Sequence, residues 1–153
     1  MAAPALSYLI CTVALVSLIF MMPFFYSYVT NNIQKDVAQR ELKEIADYVS
    51  NTFANSYFLV NSKDYLNVSL TKELKYLPST VEDSFYIVKI EGNGSDASKI
   101  TTYLTDRPSI SAEAWLSAGL KKGSQNFVES GLRKVVAGCS RDGTGIYVWI
   151  DYG

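Results

Sequence analysis

The chain opens with a long apolar segment. Residues 5–29 read ALSYLICTVALVSLIFMMPFFYSYV and include no charged side chain. Because an α-helix rises about 1.5 Å per residue, these residues span about 37 Å, enough to cross a hydrocarbon core of roughly 30 Å. A cleaved secretory signal is the alternative, but this run is longer than the apolar part of such signals, and aromatic residues occupy much of 24–28, where a cleavage site needs small ones. The segment therefore predicts a retained helix that inserts into a membrane or packs against other helices.

A one-sided pattern follows between residues 33 and 60. Apolar side chains recur there at short intervals, and charged residues of both signs mostly fill the positions between them. The apolar stripe consists of Ile33, Val37, Ala38, Leu42, Ile45, Ala46, Val49, Phe53, Tyr57 and Val60. Its period predicts an amphipathic helix. We expect Ile45, Val49, Phe53 and Tyr57 to pack on a sheet of the same chain.

One proline interrupts the apolar segment. Pro23 removes a backbone hydrogen bond and clashes with the carbonyl of residue 19, so we expect a kink or a locally melted turn at residues 19–23. The alternative is a proline that a membrane helix tolerates without consequence.

A β-rich region begins near residue 81, where the period of the apolar positions changes. Strand candidates, rich in β-branched and aromatic residues, lie at residues 84–91, 99–105, 126–130, 133–139 and 146–152. Residues 112–120 fit a short helix or a strand, and residues 121–124 fit a turn. Asp142-Gly143 favours a hairpin between the last two strands. Five or six short strands predict a small antiparallel sheet or sandwich.

The predicted fold class is therefore α+β, with a long N-terminal helix followed by a small antiparallel, sandwich-like β head. The helix takes residues 1–60, of which 1–29 are apolar and 30–60 amphipathic, a connector takes 61–80, and the head takes 81–153. Within the connector we expect a short strand or a helical turn at residues 68–77.

The amino-acid composition excludes several classes of function. The chain has no histidine, which excludes imidazole acid–base chemistry, histidine-dependent catalytic triads and histidine-ligated metals. Cys11 and Cys139 are too few for a disulfide framework or a four-thiolate metal site, and we expect both to be buried apolar residues. The 14 Lys and Arg residues nearly balance the 15 Asp and Glu residues, so no basic surface for nucleic acid is indicated. We predict a protein that is not an enzyme and holds no cofactor or metal.

Other candidate sites are local. Asn67-Val68-Ser69 and Asn93-Gly94-Ser95 match the N-glycosylation sequon, which also arises by chance, and Asn93 is the stronger candidate because it lies in a predicted exposed turn. The glycine-rich stretch at residues 138–145 looks like a phosphate-binding loop but lacks the order of one, so a hairpin turn explains it better. The acidic residues that offer calcium ligands lack EF-hand spacing, and we interpret them as solvated loop acids. They are Asp64, Glu82, Asp83, Asp96, Asp106 and Asp142.

The last predicted strand carries two large aromatic residues on one face. Alternation places Tyr147 and Trp149 on one side, together with Asp151. The other side carries Ile146, Val148, Ile150 and Tyr152. We expect a neighbouring head or a glycan to cover Tyr147 and Trp149. The alternative is a strand that its own domain buries on both faces.

The organisation of the whole chain resembles that of type IV pilin-like proteins, in particular the archaeal pilins and archaellins. The matching features are the apolar run at 5–29, Pro23 near the family's frequent helix-breaking proline, the amphipathic continuation at 33–60 and the strand-rich end. Residues 2–8 hold no acidic side chain, which is similar to the archaeal branch, whereas bacterial type IV pilins carry a glutamate near the start of the helix.

The resemblance implies a structural subunit of an extracellular filament, an adhesion pilus in preference to a swimming filament. Its partners would be identical subunits, with a prepilin peptidase and an assembly platform acting while the subunit is held in the cytoplasmic membrane. Apolar helices would form the filament core through Leu6, Leu9, Val13, Val16, Phe20, Pro23 and Phe24. The aromatic residues around Phe24 fit an interfacial belt in a bilayer equally well. The alternative function is a single-span membrane protein with an extracytoplasmic β-domain, such as a filament-assembly or stator component.

Overall fold

One long helix and a set of β-strands make up the fold, in a computed structural model that describes residues 3–62, 67–131 and 133–153. Helix α1 spans Ala3–Asn61. The strands are β1 Val68–Glu73, β2 Tyr86–Glu91, β3 Lys99–Leu104, β4 Ser111–Trp115, β5 Leu120–Lys122, β6 Phe127–Glu129, β7 Val135–Asp142 and β8 Gly145–Tyr152. The chain divides into two compact units, Met1–Asp36 and Val37–Gly153. The predicted α+β class is confirmed.

The strands form two four-stranded sheets. The first sheet has the order β1-β7-β8-β5, and the second has the order β4-β3-β2-β6. The pairings are antiparallel except that of β5 with β8, in which Leu120 lies opposite Ile146. Strands β7 and β8 form a tight hairpin in which Asp142 pairs with Gly145, as the Asp-Gly pair predicts. Strand β1 lies within residues 61–80 and pairs with β7 along its whole length.

One local prediction is wrong, and another holds at most in part. Residues 121–124 do not begin as a turn, because Leu120–Lys122 forms β5. The backbone of β5 is held on both sides, since it pairs with β8 and also exchanges hydrogen bonds of 2.7 and 2.8 Å with residues 95–97; this long-range pairing overrides the local turn preference. At residues 19–23 the expectation is a kink or a melted turn. The melted turn does not occur, because α1 continues through Pro23, which removes a single backbone donor from the helix; the kink stays a prediction.

The amphipathic part of α1 belongs to the core of the second unit. Ile45, Val49 and Phe53 are buried, and Tyr57 packs partly buried against the same cluster. That cluster also contains the inward-facing residues of both sheets. The prediction that this stripe packs on a sheet of its own chain is therefore confirmed. Ile33 and Val37 are exposed, contrary to the stripe pattern, because the buried part of the helix begins at Ala38.

Polar side chains of α1 bind the outer edge of the second sheet. Strand β4 is an edge strand, so one side of its backbone has no partner strand. Gln39 donates to the Ser111 carbonyl at 3.2 Å, Lys43 to the Glu113 carbonyl at 2.7 Å and Ser50 to the Trp115 carbonyl at 2.6 Å. These hydrogen bonds satisfy carbonyls that an open edge would offer to another chain. They also link α1 and the sheet within one unit.

Candidate functional site

The apolar part of α1 is the largest exposed apolar surface in the described chain. Every side chain at residues 4–29 is exposed. The exposed fraction is 37% at Val29 and reaches 78% at Tyr8 and Phe24. Monomeric soluble proteins rarely present so large a continuous apolar surface, and such a surface marks a contact with other proteins or with a membrane. We call residues 4–29 the apolar segment.

Apolar side chains surround the helix axis along the whole apolar segment. The residues to which the pilin resemblance gives filament packing all lie on this segment, and all are exposed: Leu6, Leu9, Val13, Val16, Phe20, Pro23 and Phe24. The positions between them are also apolar and open, with Ile10 at 60%, Leu18 at 60% and Met21 at 73% exposure. An amphipathic helix hides one stripe and leaves the other side in water, whereas this segment requires an apolar environment on every side.

The local sequence explains why the apolar segment is helical and uncharged. Leucine, alanine and methionine are good helix formers. The Thr12 hydroxyl is satisfied within the helix, since it donates to the Tyr8 carbonyl at 2.5 Å. The first charged residue after the segment is Lys35, so burial of residues 4–29 desolvates no ionic group. In the described part of the chain, α1 is the one helix whose length and composition suffice to cross a membrane.

The aromatic residues of β8 are half-buried within the second unit. Ile146, Val148 and Ile150 are buried, as the alternation predicts. Trp149 lies over Gly138 of β7, where an added methyl group would come within 2.0 Å of the indole ring. The Tyr147 hydroxyl lies 2.9 Å from the Thr144 hydroxyl. The protein's own sheet thus covers part of both rings, and the cover by a neighbouring head or a glycan stays a prediction.

Both sequon asparagines are exposed. Asn93 lies in the turn between β2 and β3, where its carbonyl accepts a hydrogen bond from the Asp96 N–H at 3.0 Å. Asn67 directly precedes β1 and has a φ of 69°, in the left-handed region that asparagine enters more readily than most residues. Exposure makes both side chains reachable by a modifying enzyme, and glycan attachment stays a prediction.

The glycine-rich stretch at residues 138–145 is the β7–β8 hairpin. The Asp142 carboxylate accepts hydrogen bonds from the Thr144 hydroxyl, the Thr144 N–H and the Gly145 N–H at 2.6, 2.8 and 3.1 Å. The pKa of Asp142 is lowered mainly by the hydrogen bond from the Thr144 side chain and then by those from the backbone N–H groups. The Asp142 carboxylate therefore serves to stabilise the turn. No group of three or more metal-binding side chains occurs among the residues that the structure describes; Asp64 lies outside them.

The two cysteines lie in different surroundings. Cys139 is fully buried, as predicted, and burial raises the pKa of its thiol to about 11. The side chain therefore acts as a small apolar core residue. Cys11 is exposed, so the prediction that it is buried is wrong for the single chain, in which no described residue buries the apolar segment.

A shallow groove on the second unit has no signature in the sequence. It has a volume of about 540 Å³ and is lined by Phe85, Glu129, Ser130, Gly131, Arg133 and Tyr152. Phe85 directly precedes β2, Glu129 ends β6, and Tyr152 ends β8. The other three lining residues follow β6 in the sequence. No short motif connects them, and only the strand pairing brings them together.

Comparison with protein-family models, with curated proteins and with solved structures finds no match for this chain. The fold and the exposed surface therefore define its class. It is an α+β protein with one long N-terminal helix, of which the first part exposes apolar side chains and the second part belongs to a β-rich unit.

Proposed function

We propose that this protein is the structural subunit of an extracellular type IV pilin-like filament that serves in adhesion. One observation carries the proposal: the apolar segment is exposed on every side, although the second unit has a core of its own. That unit already buries most of the amphipathic stripe from Ala38 onward, with Val49 and Phe53 fully enclosed. No described residue buries the apolar segment, which supports a cover supplied by other subunits.

The energy available from such cover is large. Burial of one large apolar side chain contributes about 1.5–3 kcal/mol, and the apolar segment carries many such side chains, so the gross gain is on the order of tens of kcal/mol per subunit. Every subunit offers the same surface. A contact between different faces of identical subunits that does not close into a ring generates a helical filament. The absence of charge at residues 4–29 allows these helices to pack in a dry core.

The second candidate function is a single-span membrane protein whose β-rich unit lies outside the cytoplasm. The length and composition of α1 favour it, since the helix suffices to cross a bilayer. The aromatic residues Phe24, Phe25, Tyr26 and Tyr28 would lie at the membrane interface in that case. A filament subunit also resides in the membrane before assembly, so membrane residence fits both functions. The two functions differ in whether the protein leaves the membrane and enters a filament.

A charge placed in the apolar segment tests the proposal. Val16 is 46% exposed in the single chain, and Val16→Asp would bury an unpaired carboxylate in every subunit contact, at a cost of several kcal/mol per subunit. Val16→Leu is the matched control. Cells that make each variant are sheared, and the sheared and membrane fractions are compared by immunoblotting and negative-stain microscopy.

We expect filaments in the sheared fraction from wild type and Val16→Leu, and none from Val16→Asp. The amount of Val16→Asp in the membrane fraction shows whether the variant still inserts and fails only at assembly. Normal filaments from Val16→Asp would overturn the packing of residues 4–29. Wild-type protein that stays entirely in the membrane fraction would support the anchored alternative.

A further inference from the structure

We propose that the groove lined by Phe85, Glu129, Ser130, Gly131, Arg133 and Tyr152 binds a neutral saccharide ring. The groove lies wholly within the unit Val37–Gly153. Its volume of about 540 Å³ is within the range of small-molecule sites. The proposal names a ligand class for the β-rich unit and does not depend on filament formation.

Aromatic rings supply the apolar part of this groove. Tyr152 is held in place by its hydroxyl, which accepts a hydrogen bond from the Glu129 N–H at 2.9 Å and lies 3.2 Å from the Glu129 carbonyl, to which it donates. The orientation of the phenol ring is therefore fixed before a ligand arrives. The Arg133 guanidinium lies over the Tyr152 ring, and Tyr152 also packs against the core. Phe85, whose ring is 51% exposed, therefore supplies the ring face that is open to a ligand. The face of an aromatic ring is negative and attracts weakly positive C–H groups, such as those on one face of a pyranose.

Two charged side chains supply the polar part. The Arg133 guanidinium lies 5.3 Å from the centroid of the Tyr152 ring, and its planar fork offers several N–H donors. Glu129 also lines the groove, and its carboxylate is an acceptor of hydrogen bonds. Within the described residues neither side chain takes part in an ion pair. Their hydrogen-bonding groups are therefore available to a ligand.

The combination of one donor fork and one acceptor group selects the class of ligand. Each hydroxyl of a sugar both donates and accepts, so neighbouring hydroxyls can bond to Arg133 and Glu129 together. The two charges cancel, and the groove therefore offers no net attraction to an acidic or a basic ligand. A neutral ring with hydroxyls at its edge and C–H groups on its face matches both parts of the groove better than a charged peptide does.

Saturation-transfer NMR on the full-length protein tests this assignment. The protein is held in dodecylphosphocholine micelles, because maltoside detergents carry sugar head groups that would compete. The probes are the methyl glycosides of glucose, galactose and mannose, and mannitol is the control with hydroxyls but no ring. We expect transfer to the ring C–H groups of at least one glycoside and none to mannitol. Absence of transfer to all three glycosides, or equal transfer to mannitol, would overturn the proposal.

Variants then assign the binding to this groove. Phe85→Ser and Arg133→Gln should each weaken binding of the responding glycoside roughly fivefold or more, since the first removes a ring contact and the second a hydrogen bond from a charged group. Arg107→Gln removes an exposed arginine elsewhere and should leave binding unchanged, and thermal melting checks that each variant is folded. Unchanged affinity in both groove variants contradicts the assignment. Binding of a trilysine or triglutamate peptide in place of the glycosides also contradicts it. Neither result bears on filament assembly, which the Val16 variants test separately.

Discussion

Replacement of Phe53 by alanine tests whether the amphipathic part of α1 and the sheets form one cooperative unit. Phe53 is fully buried in a cluster that includes residues of both sheets. Truncation of a buried phenylalanine removes its transfer energy and leaves a cavity, at a cost of about 3–5 kcal/mol. For a unit of the size of Val37–Gly153, each kcal/mol lowers the Tm by roughly 3–6 °C. We therefore expect the Tm to fall by roughly 10–30 °C.

The assay is calorimetric melting of a fragment that comprises residues 31–153, with and without the substitution. Phe58→Ala provides the matched control, because Phe58 lies on the same helix and is 68% exposed. A surface substitution of this kind changes stability by no more than about 0.5 kcal/mol. If Phe53→Ala leaves the Tm unchanged, or if both substitutions lower it equally, the packing of α1 on the sheets is refuted.

Three further predictions concern the second unit and the cysteines. Gly138→Ala should destabilise the fragment by about 1–3 kcal/mol, because the added methyl group would lie 2.0 Å from the Trp149 ring. Gly143→Ala is the control: its methyl group would have no neighbour within 4 Å, so the Tm should not change. Trp149→Ser should leave the fragment folded and weaken filaments, whereas unfolding would assign the ring to the core. In detergent-solubilised monomer at neutral pH, maleimide should label exposed Cys11 and spare Cys139, because burial raises the pKa of the Cys139 thiol to about 11. Mass spectrometry counts the labels, and labelling of Cys11 in filaments at the monomer rate would contradict its burial between subunits.

The elements with a strong period could be predicted from the sequence. The spacing of Ile45, Val49 and Phe53 indicates the buried side of α1, and these residues are buried as that spacing requires. The alternation in β8 likewise predicts that Val148 and Ile150 are buried. In both cases a single repeated rule relates sequence position to one face of an element. Propensity and packing therefore agree along the whole stretch.

Features that depend on long-range pairing could not be predicted in this way. Residues 121–124 have the composition of a turn, and the pairing of β5 with β8 and with residues 95–97 draws Lys121 and Lys122 into a strand. The groove on the second unit joins Phe85, Arg133 and Tyr152, which share no period or motif. The apolar segment is a third case, because its sequence predicts that it will be covered but does not distinguish lipid from neighbouring helices.

A three-dimensional reconstruction of filaments sheared from cells by electron microscopy tests the central claim most directly. We expect a helical polymer of this chain in which residues 4–29 of neighbouring subunits pack as α-helices along the axis and the β-rich units form the outer surface. Such packing would cover Val16 and Phe20, which are 46% and 69% exposed in the single chain. A sheared fraction without filaments of this chain, or filaments in which residues 4–29 lie outside the core, would contradict it.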